Sequence, residues 1–351
     1  MTARSFRDVF GVDPEATATA PGRVNMLGEH TDYNDGYVLP TPIPRVTTVE
    51  VAPSPDAGHH LYAAQLDAAV DYAPGAELPQ GFAPYVLGCL LVLAEHGHDS
   101  GPLCVRIDSE VPIGAGLSSS AALEVAVLRA VRSLRALPID DVELALMAQQ
   151  AEIRYAGVRV GIMDQMAASL AQPGEMLFLD TRTLERALLP FPAGSEFLVI
   201  DSGIPRSLAG SAYNQRREEC EAAAAALGIP ALRDVAGLAA IEQLPEPLKR
   251  RARHVYTENA RVLEASRGVS AARFGELMNA SHASLRDDFE VSVAGLDALV
   301  ELLAAHADVF GARLTGAGFG GACVALVAAG RQQAVADAVL AAYSGAARWL
   351  V

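Results

Sequence analysis

One run constrains this chain more than any other: Val111-Pro112-Ile113-Gly114-Ala115-Gly116-Leu117-Ser118-Ser119-Ser120, followed directly by Ala121-Ala122-Leu123-Glu124. Glycines let backbone N–H groups close on an anion. The start of a helix adds unpaired donors and a partial positive charge. Serine hydroxyls cap such an end, bond phosphate oxygens or coordinate Mg2+. Leu123, Val127, Val131 and Leu134 then recur at helical spacing, which gives the helix a face to bury. The segment therefore reads as a phosphate cradle. An ordinary glycine turn before a serine-capped helix fits the same residues.

The common nucleotide-binding templates fail here. A Walker loop ends in Gly-Lys-Ser/Thr, and the single lysine, Lys249, sits in Pro-Leu-Lys-Arg-Arg, far from any glycine loop. The same scarcity excludes a protein-kinase lysine. A literal G-x-G-x-x-G occurs at Gly316, Gly318 and Gly321, but it runs into Ala322-Cys323-Val324-Ala325-Leu326-Val327, a buried strand pattern rather than a helix. Phosphate binding must use a lysine-free loop.

With 351 residues, two domains are expected. A formal net charge of −15 argues against nucleic acid and anionic membrane as partners. Cys89, Cys104, Cys220 and Cys323 form no CxxC pair or Cys/His cluster, so structural zinc is disfavoured and a reducing compartment suits them. The first residues, Met1-Thr2-Ala3-Arg4-Ser5-Phe6, show no apolar signal region, and the longest apolar run, Leu87 to Ala94, is short of a membrane span. A cytoplasmic location is expected.

Residues 17–52 read as extended segments around a polar turn, and 53–81 as hairpins and loops. A helix at 84–96, a strand at 103–107, the glycine loop with its helix, and a helical stretch at 140–157 follow. Strands at 176–179 and 197–200 are separated by Pro190 and Pro192. Helices fill 211–306, with a proline-rich break at 245–247. Strands at 312–315 and 322–327 and a helix at 332–343 end the chain. Strands and helices mix without strict alternation, which favours an α+β class. The domain boundary falls at 172–195, giving domains 1–175 and 176–351.

A polar cluster, Glu29-His30-Thr31-Asp32-Tyr33-Asn34, follows the strand-like Gly22-Arg23-Val24-Asn25. Carboxylates and imidazoles satisfy sugar hydroxyls as acceptors and donors, so these residues could ring a small polyol; a solvated turn is the alternative. Asp164 has apolar neighbours in Gly161-Ile162-Met163-Asp164-Gln165-Met166, and a buried aspartate needs partners. A helix cap would satisfy it equally. Tyr213 could be a core aromatic.

Taken together, these segments resemble the GHMP family of small-molecule kinases, and within it the branch acting on galactose. The likeness rests on Gly22 to Asn34, on Gly114 to Ser120, on Ser281-His282-Ala283-Ser284-Leu285-Arg286-Asp287-Asp288, on the Tyr213 segment and on Leu314 to Gly321. It implies two α+β domains, the N-terminal one like ribosomal protein S5 domain 2 and the C-terminal one ferredoxin-like, with the active site between them. It implies ATP and Mg2+ as cofactors and transfer of a phosphoryl group to the C1 hydroxyl of α-D-galactose; a monomer is expected. By matching position, Glu29, His30, Asp32, Gly161 and Tyr213 would hold the sugar. Gly114, Ala115, Gly116, Leu117, Ser118, Ser119 and Ser120 would hold the triphosphate. Ser120 and Glu152 would hold Mg2+, with Glu124 as second choice. Asp164 would act as general base, with Arg23 beside it stabilising the transferred phosphoryl group. Ile153, Val160 and Asp35 depart from the family pattern. N-acetylgalactosamine or arabinose as substrate, or a non-catalytic sugar and ATP sensor, are the competing readings.

Overall fold

The structure, a computed structural model, describes residues 4–205 and 209–351. The chain divides into two compact units. Unit 1 takes the chain up to Arg23, then Ile43–Pro112 and Ser118–Leu170; unit 2 takes Val24–Pro42, Ile113–Leu117 and everything from Ala171 on. A contiguous cut at 175/176 misses this exchange, in which two early segments belong to the later unit.

Unit 1 is built on a five-stranded sheet in the order Ala16–Asn25, Pro40–Pro53, Leu103–Ser109, His59–Ala63, Ala68–Tyr72. Leu103–Ser109 runs antiparallel to Pro40–Pro53, pairing Ile107 with Val49, and parallel to His59–Ala63, pairing Val105 with Leu61. Side chains alternate across a strand, so Val49 and Val51, and likewise Val105 and Ile107, reach one face. There they meet Val86, Leu90 and Leu93 of helix Ala83–Glu95, Val127 and Val131 of Ser119–Arg135, and Leu144 of Asp141–Ala151 in a single core. Ala16–Asn25 is an edge strand, which tolerates Pro21. Its burial alternates as far as Thr19 and becomes continuous from Gly22. Arg23 is therefore held in the protein rather than in solvent.

Unit 2 carries a four-stranded antiparallel sheet ordered Val309–Leu314, Ala322–Ala328, Ser195–Asp201, Arg348–Trp349. A three-stranded sheet is ordered Tyr37–Val38, Glu175–Asp180, Arg186–Pro190. The last of these strands lies where the prolines signalled only a break: Pro190 closes an outer strand, where the missing N–H costs nothing. Helices Ala209–Leu227, Leu248–Ala265, Ala271–Asp287, Ala294–Ala304 and Gln332–Ala342 complete the unit. Helix Ala271–Asp287 lies so close to strand Val309–Leu314 that a Cβ on Gly275 would sit 2.0 Å from the Phe310 carbonyl oxygen. Among the described residues no helix is long and apolar enough to cross a membrane.

Candidate active site

In the glycine loop, Gly114, Gly116 and Ser118 all take left-handed φ, at 78°, 82° and 60°. Ser118 precedes helix Ser119–Arg135 but makes no side-chain cap bond. Its hydroxyl instead donates to Asp164 Oδ2 at 2.5 Å. No serine cap competes for the first helical amides, which point where an anion is best stabilised. The loop also explains the glycines at 316–321. A Cβ on Gly316 would fall 2.8 Å from the Gly116 carbonyl oxygen, so this turn packs against the loop.

Asp164 lies in the first turn of helix Met163–Leu170, and Arg23 grips it with a planar fork. Arg23 Nε donates to Oδ1 and Nη2 to Oδ2, both at 2.7 Å. The Arg23 side chain is 5% exposed and that of Asp164 24%. The pair is thus preorganised, with one edge of the carboxylate open. The aspartate is an ion-paired, solvent-accessible group rather than a helix cap.

Beside it lies a second, oxygen-rich group. Helix Asp141–Ala151 widens into a π turn at Glu152–Ala156, a distortion common at functional sites. It turns Glu152 inward. Gln165 Nε2 donates to Glu152 Oε2 at 2.7 Å and to Glu124 Oε2 at 3.2 Å. Burial, opposed by the Ser120 hydroxyl and aided by the Asp164 charge, raises the Glu152 carboxyl to about 7. Burial and then the neighbouring Glu152 push Glu124 well above the ordinary range. Buried Glu124 Oε1 and Gln165 Oε1 have no hydrogen-bond partner. Among the described residues no three His, Cys, Asp or Glu side chains form a metal cage. Mg2+ seldom needs one: it takes one or two carboxylates and completes its shell with water and phosphate oxygens. Hard oxygen donors, among them the orphaned Glu124 carboxyl and Gln165 amide oxygens, fit that ion.

The polar cluster lies in unit 2. Asp32 opens a short 3-10 turn, Asp32–Asn34, closed by Asp35 at φ 59°, where glycine was the commoner expectation. Aspartate tolerates that conformation, and here Arg182 ion-pairs with its carboxylate at 3.0 Å. The buried carboxylate of Glu29 accepts from Arg313 Nη2 at 2.6 Å. His30 sits at φ 61°. Its Nε2 lies 3.2 Å from the Ala317 carbonyl, which can only accept, so Nε2 carries the proton and Nδ1 accepts from the Tyr33 hydroxyl at 2.9 Å. Both ring nitrogens of His30 are thus engaged within the protein, and burial holds the ring well below the usual imidazole range. Tyr213, on helix Ala209–Leu227, packs 5.6 Å from the His30 ring and 5.4 Å edge-on to Tyr33.

His254, entirely enclosed, donates from Nε2 to the Glu29 carbonyl at 3.0 Å and accepts from Ser284 Oγ at Nδ1. Burial lowers it to about 4. Between roughly pH 6.5, the unfolded value, and pH 4 the unfolded chain binds a proton that the folded one refuses. Stability is accordingly complete above that window and falls on acidification through it, by a change on the order of 3 kcal/mol. Denaturant titrations at pH 7 and pH 4.5 should show this loss, and His254→Gln should shrink it. Equal losses in both proteins would contradict the assignment.

The structure brings Arg23, Asp164 and Ser118 together, and Ser120 with Glu152. It groups Glu29, His30, Tyr33 and Tyr213 in unit 2, and it buries Gly161 in unit 1. Sequence reasoning gave Ser118 only to phosphate. It missed Gln165 as the link between two glutamates and Arg313 as the partner of Glu29.

The chain matches the family of GHMP kinases N terminal domains over residues 84–172, the galactokinase galactose-binding signature over 4–53, and GHMP kinases C terminal over 262–345. A galactokinase of Roseiflexus sp. (strain RS-1) is 47% identical over 337 residues, which is 92% of this chain and 86% of that protein. The crystal structure of Lactococcus lactis galactokinase complexed with galactose superposes with a TM-score of 0.91 at 34% identity, covering 99% of this chain and 95% of that one. The mevalonate kinase of Methanococcus jannaschii shares the fold, with a TM-score of 0.71 at 18% identity over 97% and 98% of the two chains.

Proposed function

The chain belongs to the galactokinases of the GHMP kinase family, and from that membership we propose that it transfers the γ-phosphoryl group of ATP to the C1 hydroxyl of α-D-galactose. The C1 oxygen attacks the γ-phosphorus, the bond from phosphorus to the β–γ bridging oxygen breaks, and the proton of the C1 hydroxyl passes to Asp164. Galactose 1-phosphate and ADP are the products. The observation that supports the residue assignment is the Arg23–Asp164–Ser118 arrangement, with a forked guanidinium and a serine hydroxyl on a partly exposed carboxylate.

Phosphoryl transfer needs placement and charge neutralisation more than covalent help. In this reading Arg23 orients Asp164 and stabilises charge on the moving phosphoryl group. Gly114 to Ser120 supply backbone donors to the triphosphate. Ser120 and Glu152 would hold Mg2+, which when bound neutralises charge on the phosphate oxygens. Glu29, Asp32, Gly161 and Tyr213 would meet the sugar, and His30 would keep Tyr33 and the 316–321 turn in place beside it.

Asp32 is the candidate reader of the galactose-specific hydroxyl. A polar group that loses its partner discriminates strongly, so Asp32→Ala should reduce the galactose-to-glucose ratio of kcat/KM at least about tenfold. Unchanged kinetics on both sugars would remove Asp32 from the site. The activity itself is tested by coupled ADP release across galactose, glucose, N-acetylgalactosamine and arabinose. Galactose should lead the panel. Turnover led by another sugar, or none at all, would overturn the reading.

A further inference from the structure

The segment that carries Glu29 lies outside the regular strands and helices. Gly28 and His30 both adopt left-handed φ, at 96° and 61°, and no regular strand or helix spans them. Thr31 Oγ1 donates to the Gly28 carbonyl at 2.8 Å and Asn34 Nδ2 to the His30 carbonyl at 3.0 Å, and side chains from elsewhere in unit 2 hold the rest of the segment's conformation. Arg313, in strand Val309–Leu314, is 0% exposed. Its Nη2 donates to Glu29 Oε2 at 2.6 Å, its Nη1 donates to the Asn25 carbonyl at 3.4 Å, and Nη1 also lies 3.8 Å from Glu258 Oε1. Glu258, equally buried on helix Leu248–Ala265, accepts from the Gly28 amide at 2.8 Å and from Ser281 Oγ at 2.7 Å, with Arg261 Nε at 2.6 Å on its other oxygen. Asn25, Gly28 and Glu29 are thus each gripped, through main chain or side chain, by one enclosed cluster of two arginines and two glutamates.

A buried ion network is weak evidence for stability, since apolar residues of similar volume often serve as well. What such a network does supply is a single geometry. A guanidinium fork fixes direction as well as charge, which an ammonium does not. We propose that Arg313 is a positioning residue for galactose binding: it sets the Glu29 carboxylate directly, and the Gly28 backbone through Glu258, in the arrangement that accepts the sugar. This rests on the reading of Glu29 as a sugar ligand.

The test is Arg313→Lys, made alone and together with Glu29→Gln. The readouts are kcat, KM for galactose, KM for ATP and Tm in the full-length enzyme. Lysine keeps the charge but has no planar pair of nitrogens to reach Glu29 and the Asn25 carbonyl together. Misplacement of a binding group by about 1 Å can cost on the order of 10²-fold, so galactose KM should rise at least about tenfold while ATP KM stays within about twofold. Added to Glu29→Gln, the same substitution should raise galactose KM by less than about twofold, because residues acting through one another are not additive. Arg313→Met removes the charge as well and should be worse than lysine; where it fails to fold, lysine decides. A parallel rise in both KM values that tracks a lowered Tm would overturn the proposal, as would a full independent effect on top of Glu29→Gln. If Glu29→Gln raises galactose KM and Arg313→Lys does not, positioning falls and the ligand reading stands. If Glu29→Gln itself leaves galactose KM unchanged, both fall.

Discussion

Asp164→Asn should lower kcat by about 10²–10⁴-fold, the usual worth of general base catalysis, or roughly 3–5 kcal/mol of barrier. The substitution is nearly isosteric. The amide oxygen can still accept from Arg23 Nε, but the group can no longer take a proton. The fork from Arg23 and the 2.5 Å bond from Ser118 hold the native carboxylate in one orientation, so on the proposed mechanism the substitution removes charge rather than geometry. KM for galactose should change by less than about tenfold, because the interaction lost belongs to the transition state. Losing the anion takes the opposite charge away from the nearly buried Arg23, so Tm should fall as well. Steady-state kinetics beside thermal melts separate the two effects. Near-normal kcat in a folded Asp164→Asn protein would remove the base assignment.

Arg23→Ala should cost at least about 10²-fold in kcat, the scale for removing one preorganised donor to developing charge. Two losses combine. The moving phosphoryl group loses a cation, and Asp164 loses the fork that aims it. Arg23→Lys should recover little, since an ammonium cannot meet both carboxylate oxygens in one plane. An effect confined to KM, with kcat intact, would mean that Arg23 only binds substrate. The two variants should also be strongly non-additive, because each disables the same pair.

Local patterns carried much of this fold. The apolar spacing of Leu123, Val127 and Val131 marked a helix that the structure contains, and Gly114 and Gly116 marked the turn before it. Pairings across long sequence separation were not legible from the residues alone. Arg23 and Asp164 lie 141 positions apart, and only the likeness to known kinases linked them. Ser118 read as a phosphate ligand because composition does not encode a left-handed serine, yet that backbone turns its hydroxyl to Asp164. The π turn at Glu152–Ala156 depends on one extra residue accommodated in a helix, for which periodicity gives no sign. Arg313, flanked by Ala312 and Leu314, read as part of an ordinary strand. Its burial makes sense only once Glu29 and Glu258 are beside it. The units share out the early chain, with Val24–Pro42 and Ile113–Leu117 grouped with the later one, because compactness follows contacts rather than sequence order.

Steady-state turnover can be limited by product release, so the central claim is best tested on the chemical step itself. Rapid quench of a single turnover, with enzyme in excess over labelled ATP and with galactose saturating, reads phosphoryl transfer directly. If Asp164 accepts the C1 hydroxyl proton, Asp164→Asn slows that first turnover by about 10²-fold or more while binding galactose as the native enzyme does. A first turnover at the native rate would contradict the account.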